Sequence, residues 1–194
     1  MTHLLTVDPG YKKSGIALFK DESLCYGALI ESTPPPIGLA QQAANIAGTA
    51  SLIARKHNPD GCDLDTAVEL MQIDDRTGKA QARELLRLST IAGAVSTLGT
   101  LSYSYPPSEW NKNRPKGPNH AKILRALTGQ EKDDLLVESE KITDGDGKPL
   151  FESLRPQIKE ADQLYDRAVD ERTGQAEHVL DAVGIGLYHL GRLR

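Results

Sequence analysis

Four side chains in this sequence have the types and placement that metal-assisted chemistry needs. Asp8 closes the apolar run Leu4-Leu5-Thr6-Val7, just before Pro9-Gly10, and Glu69 ends a second run, Thr66-Ala67-Val68. His178 and Asp181 stand within Glu177-His178-Val179-Leu180-Asp181-Ala182-Val183-Gly184-Ile185-Gly186-Leu187. That segment reads as an apolar helix, and residues three apart on a helix share a face. A buried carboxylate is costly unless something positive compensates it. Three carboxylates and an imidazole form an oxygen-rich set that suits Mg²⁺ or Mn²⁺ rather than structural zinc. Two such ions about 4 Å apart can activate a water and stabilise the leaving oxygen in phosphodiester hydrolysis. Each residue also has a plainer reading. Asp8 could be a turn former in Asp-Pro-Gly, Glu69 a solvent-facing acid, Asp181 the partner of a Lys or Arg, and His178 a structural histidine. Glu177 ranks below His178 and Asp181. The signal is their joint placement.

The elements that must position these residues follow from periodicity. Residues 3–7, 15–19 and 23–30 read as three strands joined by Gly- and Asp-containing turns. Pro34-Pro35-Pro36 breaks the pattern, and Leu39, Ala43, Ile46, Ala50 and Ile53 predict a helix that Asn58-Pro59-Asp60-Gly61 stops. Leu64 to Met71 reads as a strand. A long helix follows, with Leu85, Leu88, Ala92, Val95 and Leu98 on one face, and Leu101 to Tyr105 forms a further strand ended by Pro106-Pro107. Beyond it the sequence predicts a basic Pro/Gly loop over 111–118 and a helix over 119–127. Next come a hairpin turning at Asp144-Gly145-Asp146-Gly147 between 135–142 and 148–151, a helix capped by Ser153, and a last helix over 176–192.

The order β-β-β-α-β-α-β-α-α suggests an α/β domain with a mixed sheet. Strands entered from crossovers run parallel. Asp8 and Glu69 are then expected side by side at the carboxyl end of the sheet, where open α/β sheets bind ligands. Gly184 and Gly186 are poor helix formers, and their expected use is close approach of the last helix to the sheet.

The 194 residues suit one domain, 1–194, in which 130–176 forms an extended acidic insertion. Composition is ordinary, 39% hydrophobic and 26% charged, and indicates neither disorder nor a membrane protein. No apolar run approaches the roughly 20 residues that span a bilayer. Met1-Thr2-His3 lacks the basic n-region of a signal peptide. Cys25 and Cys62 are too few for a disulfide or zinc framework. A cytosolic protein is expected.

The net charge of −4 hides an asymmetry: residues 131–177 carry −7, which leaves +3 for the rest. Asn111 to Arg125 holds Lys112, Arg114, Lys116, Lys122 and Arg125 with no acid. Lys79, Arg83 and Arg87 repeat every four residues opposite the apolar stripe of their helix, and Arg76 extends that face. These residues could track DNA phosphates. A solvated helix face is the alternative for 76–87. Trp110 reads as a packing anchor, with stacking on a base as the alternative.

Taken in order, four motifs resemble those of the RuvC-type Holliday-junction resolvases, a family of the RNase H-like (retroviral-integrase-type) nuclease superfamily. They are Thr6-Val7-Asp8-Pro9-Gly10 with Ser14-Gly15-Ile16-Ala17; Ala67-Val68-Glu69 with the helix from Leu86-Arg87-Leu88-Ser89 to Gly93; Tyr105-Pro106-Pro107-Ser108-Glu109-Trp110; and Glu177 to Ile185. The resemblance implies an RNase H-like mixed five-stranded sheet flanked by helices. It also implies that Asp8, Glu69 and Asp181 bind metal, two Mg²⁺ or Mn²⁺ ions per site, with His178 at the place of the fourth ligand. It implies a homodimer, each subunit cutting one strand of a four-way DNA junction, with no nucleotide cofactor.

Two features depart from the family pattern. The 130–176 connection is longer and more acidic, which points to a phage or organellar-type variant, and Gln72 and Ile73 occupy the region of the family's junction-stacking aromatic. An actin-like ATPase or sugar kinase would need a second domain and a second phosphate-binding loop. A Ca²⁺ loop from Asp144 fails because its twelfth position is Arg155. An RNase H-like nuclease acting on other branched DNA, on RNA–DNA hybrids or on structured RNA stays open, as does a catalytically silent junction- or RNA-binding module.

Overall fold

In the computed structural model, which describes residues 2–10, 12–31, 38–70, 79–112, 114–139 and 176–193, the three opening runs form an antiparallel meander. Its strands are β1 (His3–Asp8), β2 (Lys13–Lys20) and β3 (Ser23–Glu31). Helix α1 (Leu39–His57) crosses over to β4 (Leu64–Glu69), and α2 (Lys79–Ser96) precedes β5 (Ser102–Tyr105). Both later strands run parallel to their neighbours, which gives one mixed five-stranded sheet in the order β3-β2-β1-β4-β5. The remaining described elements are a single turn α3 (Pro107–Trp110), α4 (Lys116–Ala126), α5 (Gly129–Ser139) and α6 (Ala176–His189). The flanked mixed sheet is the architecture the motif order leads one to expect.

Strand alternation divides the core into two layers. Leu5, Val7, Ile16, Leu18 and Val68 face one way and pack with buried residues of α1 and α2. Leu4, Ala17, Phe19 and Ala67 face the other way and pack with α4, α5 and α6. Helix α6 lies against β1 and β2 under α4, so Val179, Leu180, Ala182, Val183, Ile185 and Leu187 are all fully buried. A helix covered on every side can be apolar all round, which explains why this stretch shows no clean amphipathic stripe. The two glycines have different uses. A Cβ added at Gly186 would lie 2.1 Å from Phe19 Cε2, so this residue gives the expected close approach to the sheet. One added at Gly184 would lie 2.6 Å from Ile123 Cδ1 and 2.7 Å from Trp110 Cζ3. Gly184 therefore makes room for α4 and the indole, not for the sheet.

Three sequence expectations need correction. Helix α4 starts at Lys116 rather than 119, because Pro118 falls in its first turn, where a missing N–H leaves no bond unmade. The expected loop is thereby shortened, and 107–110 forms a helical turn of its own. Residues 135–139 are helical, not the first arm of a hairpin. A reciprocal capping box starts α5: Thr128 N donates to Glu131 Oε2 at 2.7 Å, and Glu131 N donates to Thr128 Oγ1 at 3.3 Å. Leu135 is then fully buried against the β2–β3 side of the sheet. The expected turn at 144–147, the helix capped by Ser153, Arg76, and Gln72 and Ile73 lie outside the described residues. Among the described residues no helix is long and apolar enough to cross a membrane.

Candidate active site

Parity along two neighbouring strands decides which way the first two acids point. Asp8 follows Leu4 and Thr6 by steps of two and so faces α6; Glu69 follows Ala67 and faces the same way. Val7 pairs with Val68 across the parallel β1–β4 ladder. Asp8 and Glu69 are therefore the next residues along, side by side at the carboxyl edge as expected. Helix α6 is fastened over that edge at two points. Thr6 Oγ1 donates to the Ala182 carbonyl at 2.7 Å. At Gly15 a Cβ would fall 1.8 Å from the His178 carbonyl oxygen, so only glycine lets the first turn of α6 rest on β2. These contacts bring His178 and Asp181, one turn apart, over Asp8 and Glu69.

All four side chains line one open cleft of about 630 Å³. Asp8, Glu69 and Asp181 are 5%, 7% and 9% exposed, so each carboxylate has given up most of its water. Each is met by one protein group. His178 Nδ1 lies 2.6 Å from Asp8 Oδ2, and with the carboxylate ionised the ring nitrogen is the donor. Trp110 Nε1 donates to Glu69 Oε2 at 3.1 Å, and His120 Nε2 lies 3.0 Å from Asp181 Oδ1.

The electrostatics follow from this crowding. Burial pushes the Glu69 carboxyl up to about 8, with repulsion from Asp8 and Asp181 adding to it. Burial also raises Asp8, against the hydrogen bond from His178, and Asp181 raises it further. The His178 imidazole is held above its ordinary value, first by its hydrogen bond to Asp8. For Lys116, burial works against the ammonium, but its contact with Glu177 and the attraction of Asp181 and Asp8 hold it above its ordinary value.

Among the described residues no three His, Cys, Asp or Glu side chains stand close enough to enclose one ion as they are placed. The donor set nevertheless fits a divalent cation. Three desolvated carboxylates repel one another across a shared cleft mouth, and a hard cation with oxygen ligands would relieve that repulsion.

The cationic residues divide into two groups. Arg114 and Lys116 line the cleft, joined by Lys12 from the β1–β2 turn and Lys13 at the start of β2. Lys112 is exposed beside them, and Lys122 belongs to the same patch: burial lowers its ammonium first, and then repulsion from Arg114, Lys112 and Arg125. On α2, Arg83 and Arg87 are exposed on the face opposite the buried Leu85, Leu88, Ala92 and Val95, as expected. That face is turned away from the cleft, which α2 lines with Glu84 and Leu88 instead. Lys79 opens α2. Sequence reasoning did not attach His120, Lys12 or Lys13 to the site, and it gave Trp110 packing, with base stacking as the alternative, rather than a bond to Glu69. His120 does carry a faint signal, because it shares the apolar side of α4 with Ile123 and Leu124.

No family model and no curated protein sequence matches this chain. Among solved structures it is similar to T. thermophilus RuvC in complex with a Holliday junction substrate, at 17% identity and a TM-score of 0.47, covering 100% of this chain and 99% of that one. It is similar to Thermus thermophilus RuvC at 16% identity and a TM-score of 0.44, covering 99% and 98%. A third likeness is to the yeast mitochondrial Holliday junction resolvase Ydc2, at 13% identity and a TM-score of 0.45, covering 97% of this chain and 79% of that one.

Proposed function

We propose that this chain is a metal-dependent, structure-selective endonuclease that resolves four-way DNA junctions by paired phosphodiester hydrolysis, acting as a homodimer. The observation that carries the reading is the convergence of Asp8, Glu69 and Asp181, from β1, β4 and α6, at a cleft whose rim holds Lys12, Arg114 and Lys116. Buried acids inside a cationic rim match the two needs of phosphodiester cleavage: ligands for divalent ions and seats for phosphates. The choice of a four-way junction, and of a dimer to cut it, rests on the four sequence motifs.

Asp8, Glu69, Asp181 and His178 would hold Mg²⁺ or Mn²⁺. When bound, the ions supply Lewis acidity at the scissile phosphodiester. The chain itself does the rest. Arg114 and Lys116 draw the strand to the cleft, and the apolar bed of α6 keeps the carboxylates from turning to bulk water. His178, bonded to Asp8, keeps that carboxylate aimed and has a ring proton to hold or release at Nδ1.

The test is cleavage of a synthetic four-way junction with Mg²⁺ or Mn²⁺, beside linear duplex, flap and RNA–DNA hybrid, with the assembly state read by light scattering. Symmetric paired nicks by a dimer are expected on the junction alone. Asp8→Asn should bind the junction normally and cleave at least about a hundredfold more slowly, given the several kcal/mol that such ions contribute. An Asp8→Asn protein that cleaves like wild type removes the site assignment. Preferential cutting of the hybrid moves the substrate to RNA–DNA duplexes, and a monomer on the junction removes paired cutting.

A further inference from the structure

Two ring nitrogens reach the carboxylates, and both come from the segment running from α3 into α4. Trp110, 2% exposed, donates its indole N–H to Glu69 Oε2 at 3.1 Å. His120, 1% exposed, sets Nε2 3.0 Å from Asp181 Oδ1. The partners are 41 and 61 residues apart in sequence, so neither bond is a by-product of local structure. The indole also has a place reserved for it, since Gly184 leaves the space that a Cβ would close to 2.7 Å.

We propose that Trp110 and His120 are positioning residues, each fixing one oxygen of Glu69 or Asp181 so that the other is presented to a divalent cation in the cleft. The chemistry of the donors supports this role. Arg or Lys at either place would neutralise its carboxylate and compete with the cation. An indole N–H carries no charge, so it orients Glu69 without placing a competing cation beside it. The His120 ring, buried and 3.0 Å from Asp181 Oδ1, restrains that oxygen by position. Donors of this kind behind metal-ligating side chains contribute about 10–100-fold to metal affinity. Because both sit on the stretch that also carries Lys112, Arg114 and Lys116, placement of the carboxylates is tied mechanically to the segment that meets phosphate. The inference rests on the metal-site reading above and adds two residues to it.

Isothermal titration of Mn²⁺ into the full chain without DNA is the direct test, with Trp110→Phe, His120→Ala and His120→Gln beside wild type and Asp181→Asn. Wild type should bind Mn²⁺, and Asp181→Asn should lose most of that binding. Trp110→Phe and His120→Ala should weaken binding about 10–100-fold, while junction affinity in EDTA, which phosphate contacts set, stays unchanged. His120→Gln, whose amide can still donate to Asp181, should recover much of the loss, and excess Mn²⁺ should restore kcat in all three.

Trp110 is the single tryptophan of the chain, so emission of the wild-type protein reports on this one ring. It should shift on Mg²⁺ addition, and so should the ring ¹⁵N signals of His120. Cooperatively melting Trp110→Phe and His120→Ala proteins with wild-type Mn²⁺ affinity would overturn the proposal. Should the variants fail to fold, wild-type emission and His120 signals that stay fixed while calorimetry shows Mg²⁺ bound overturn it equally. If wild type takes up no Mn²⁺, the metal reading itself fails and this inference falls with it. If Asp181→Asn loses Mn²⁺ and the donor variants do not, the metal reading stands and only this inference fails.

Discussion

Burial, and after it the neighbouring Asp8 and Asp181, push the Glu69 carboxyl from the ordinary value of 4.5 up to about 8. A folded-state value above the unfolded one means that the folded chain binds the proton more tightly across that window. Without metal, this group's contribution to stability falls as pH rises from 4.5 to about 8. Glu69→Gln removes the charge and keeps an oxygen for the Trp110 N–H. In EDTA at about pH 8.5 the variant should melt about 2–4 °C above wild type, the equivalent of ~1 kcal/mol for a domain of this size. Mg²⁺ should raise the wild-type Tm and leave the variant's unchanged. Scanning fluorimetry decides this, and a variant that melts below wild type in EDTA contradicts the crowded-carboxylate account. The meeting of the four site side chains was legible in the sequence because Asp8 and Glu69 close apolar runs, Asp181 interrupts an apolar helix and His178 shares its face. The indole and imidazole bonded to Glu69 and Asp181 were not, because a hydrogen bond spanning 41 or 61 residues leaves no local mark on the chain.

At the scale of elements, the seat of α6 on β2 depends on a glycine. Gly15→Ala drives a Cβ into the His178 carbonyl, which is backbone and cannot swing aside. The expected cost is about 1–3 kcal/mol, read from urea melts. Single-turnover cleavage should fall further than junction binding, because displacing α6 moves His178 and Asp181 together. Equal losses of binding and cleavage would count against α6 as the element that sets the site.

A second joint closes the far end of the fold. Glu131 accepts from Leu24 N, Thr128 N and both terminal nitrogens of Arg192, at 2.6–2.8 Å. Burial alone would raise its carboxyl. The Arg192 fork and the backbone donors outweigh burial and hold it at about 2. Here the folded value lies below the unfolded one, so the stabilisation is present above pH 4.5 and is lost as pH falls toward about 2. Glu131→Gln should flatten the acid limb of Tm against pH and cost about 1.5–3 kcal/mol at neutral pH, the worth of hydrogen bonds to a charged group. An unchanged acid limb would show that this joint does not govern acid stability.

The strands and long helices were legible from alternation and 3–4 spacing, and their observed ends differ from expectation by only a few residues. Residues 135–139 were not, although the capping signature Thr128-Gly129-Gln130-Glu131 precedes them. The Asp-Gly-Asp-Gly run beyond favours a hairpin on paper. Burial of Leu135 and a satisfied helix start favour α5 in the folded chain.

For the whole molecule, the nuclease reading asks how a protein of net charge −4 would hold a polyanion. Its cations are gathered around the cleft mouth, with Lys12, Arg114 and Lys116 lining it and Lys112 and Lys122 close by, while the acids concentrate in 131–177. Junction affinity in EDTA should therefore fall steeply with salt, with a log–log slope of about −0.9 for each phosphate neutralised. Lys112→Ala and Arg114→Ala should each flatten the slope by about 1. Arg83→Ala and Arg87→Ala, on the outer face of α2, should change it less. Fluorescence anisotropy over a salt series measures all four. An equal effect from the α2 pair would extend the DNA path over that helix.

The bond between His178 and Asp8 joins residues 170 positions apart, and this long closure bears on the life of the protein before it is complete. A nascent polypeptide that has reached Ser139 already contains all five described strands of the sheet, with Asp8 and Glu69. It has neither His178 nor Asp181, and the Leu4, Phe19 and Ala67 face that α6 covers lies bare. On the nuclease reading, an unfinished copy still tethered to its ribosome cannot nick the nucleic acid around it. On that same reading, docking of α6 would be the step that completes the site, and a chain cut short before it would not cleave.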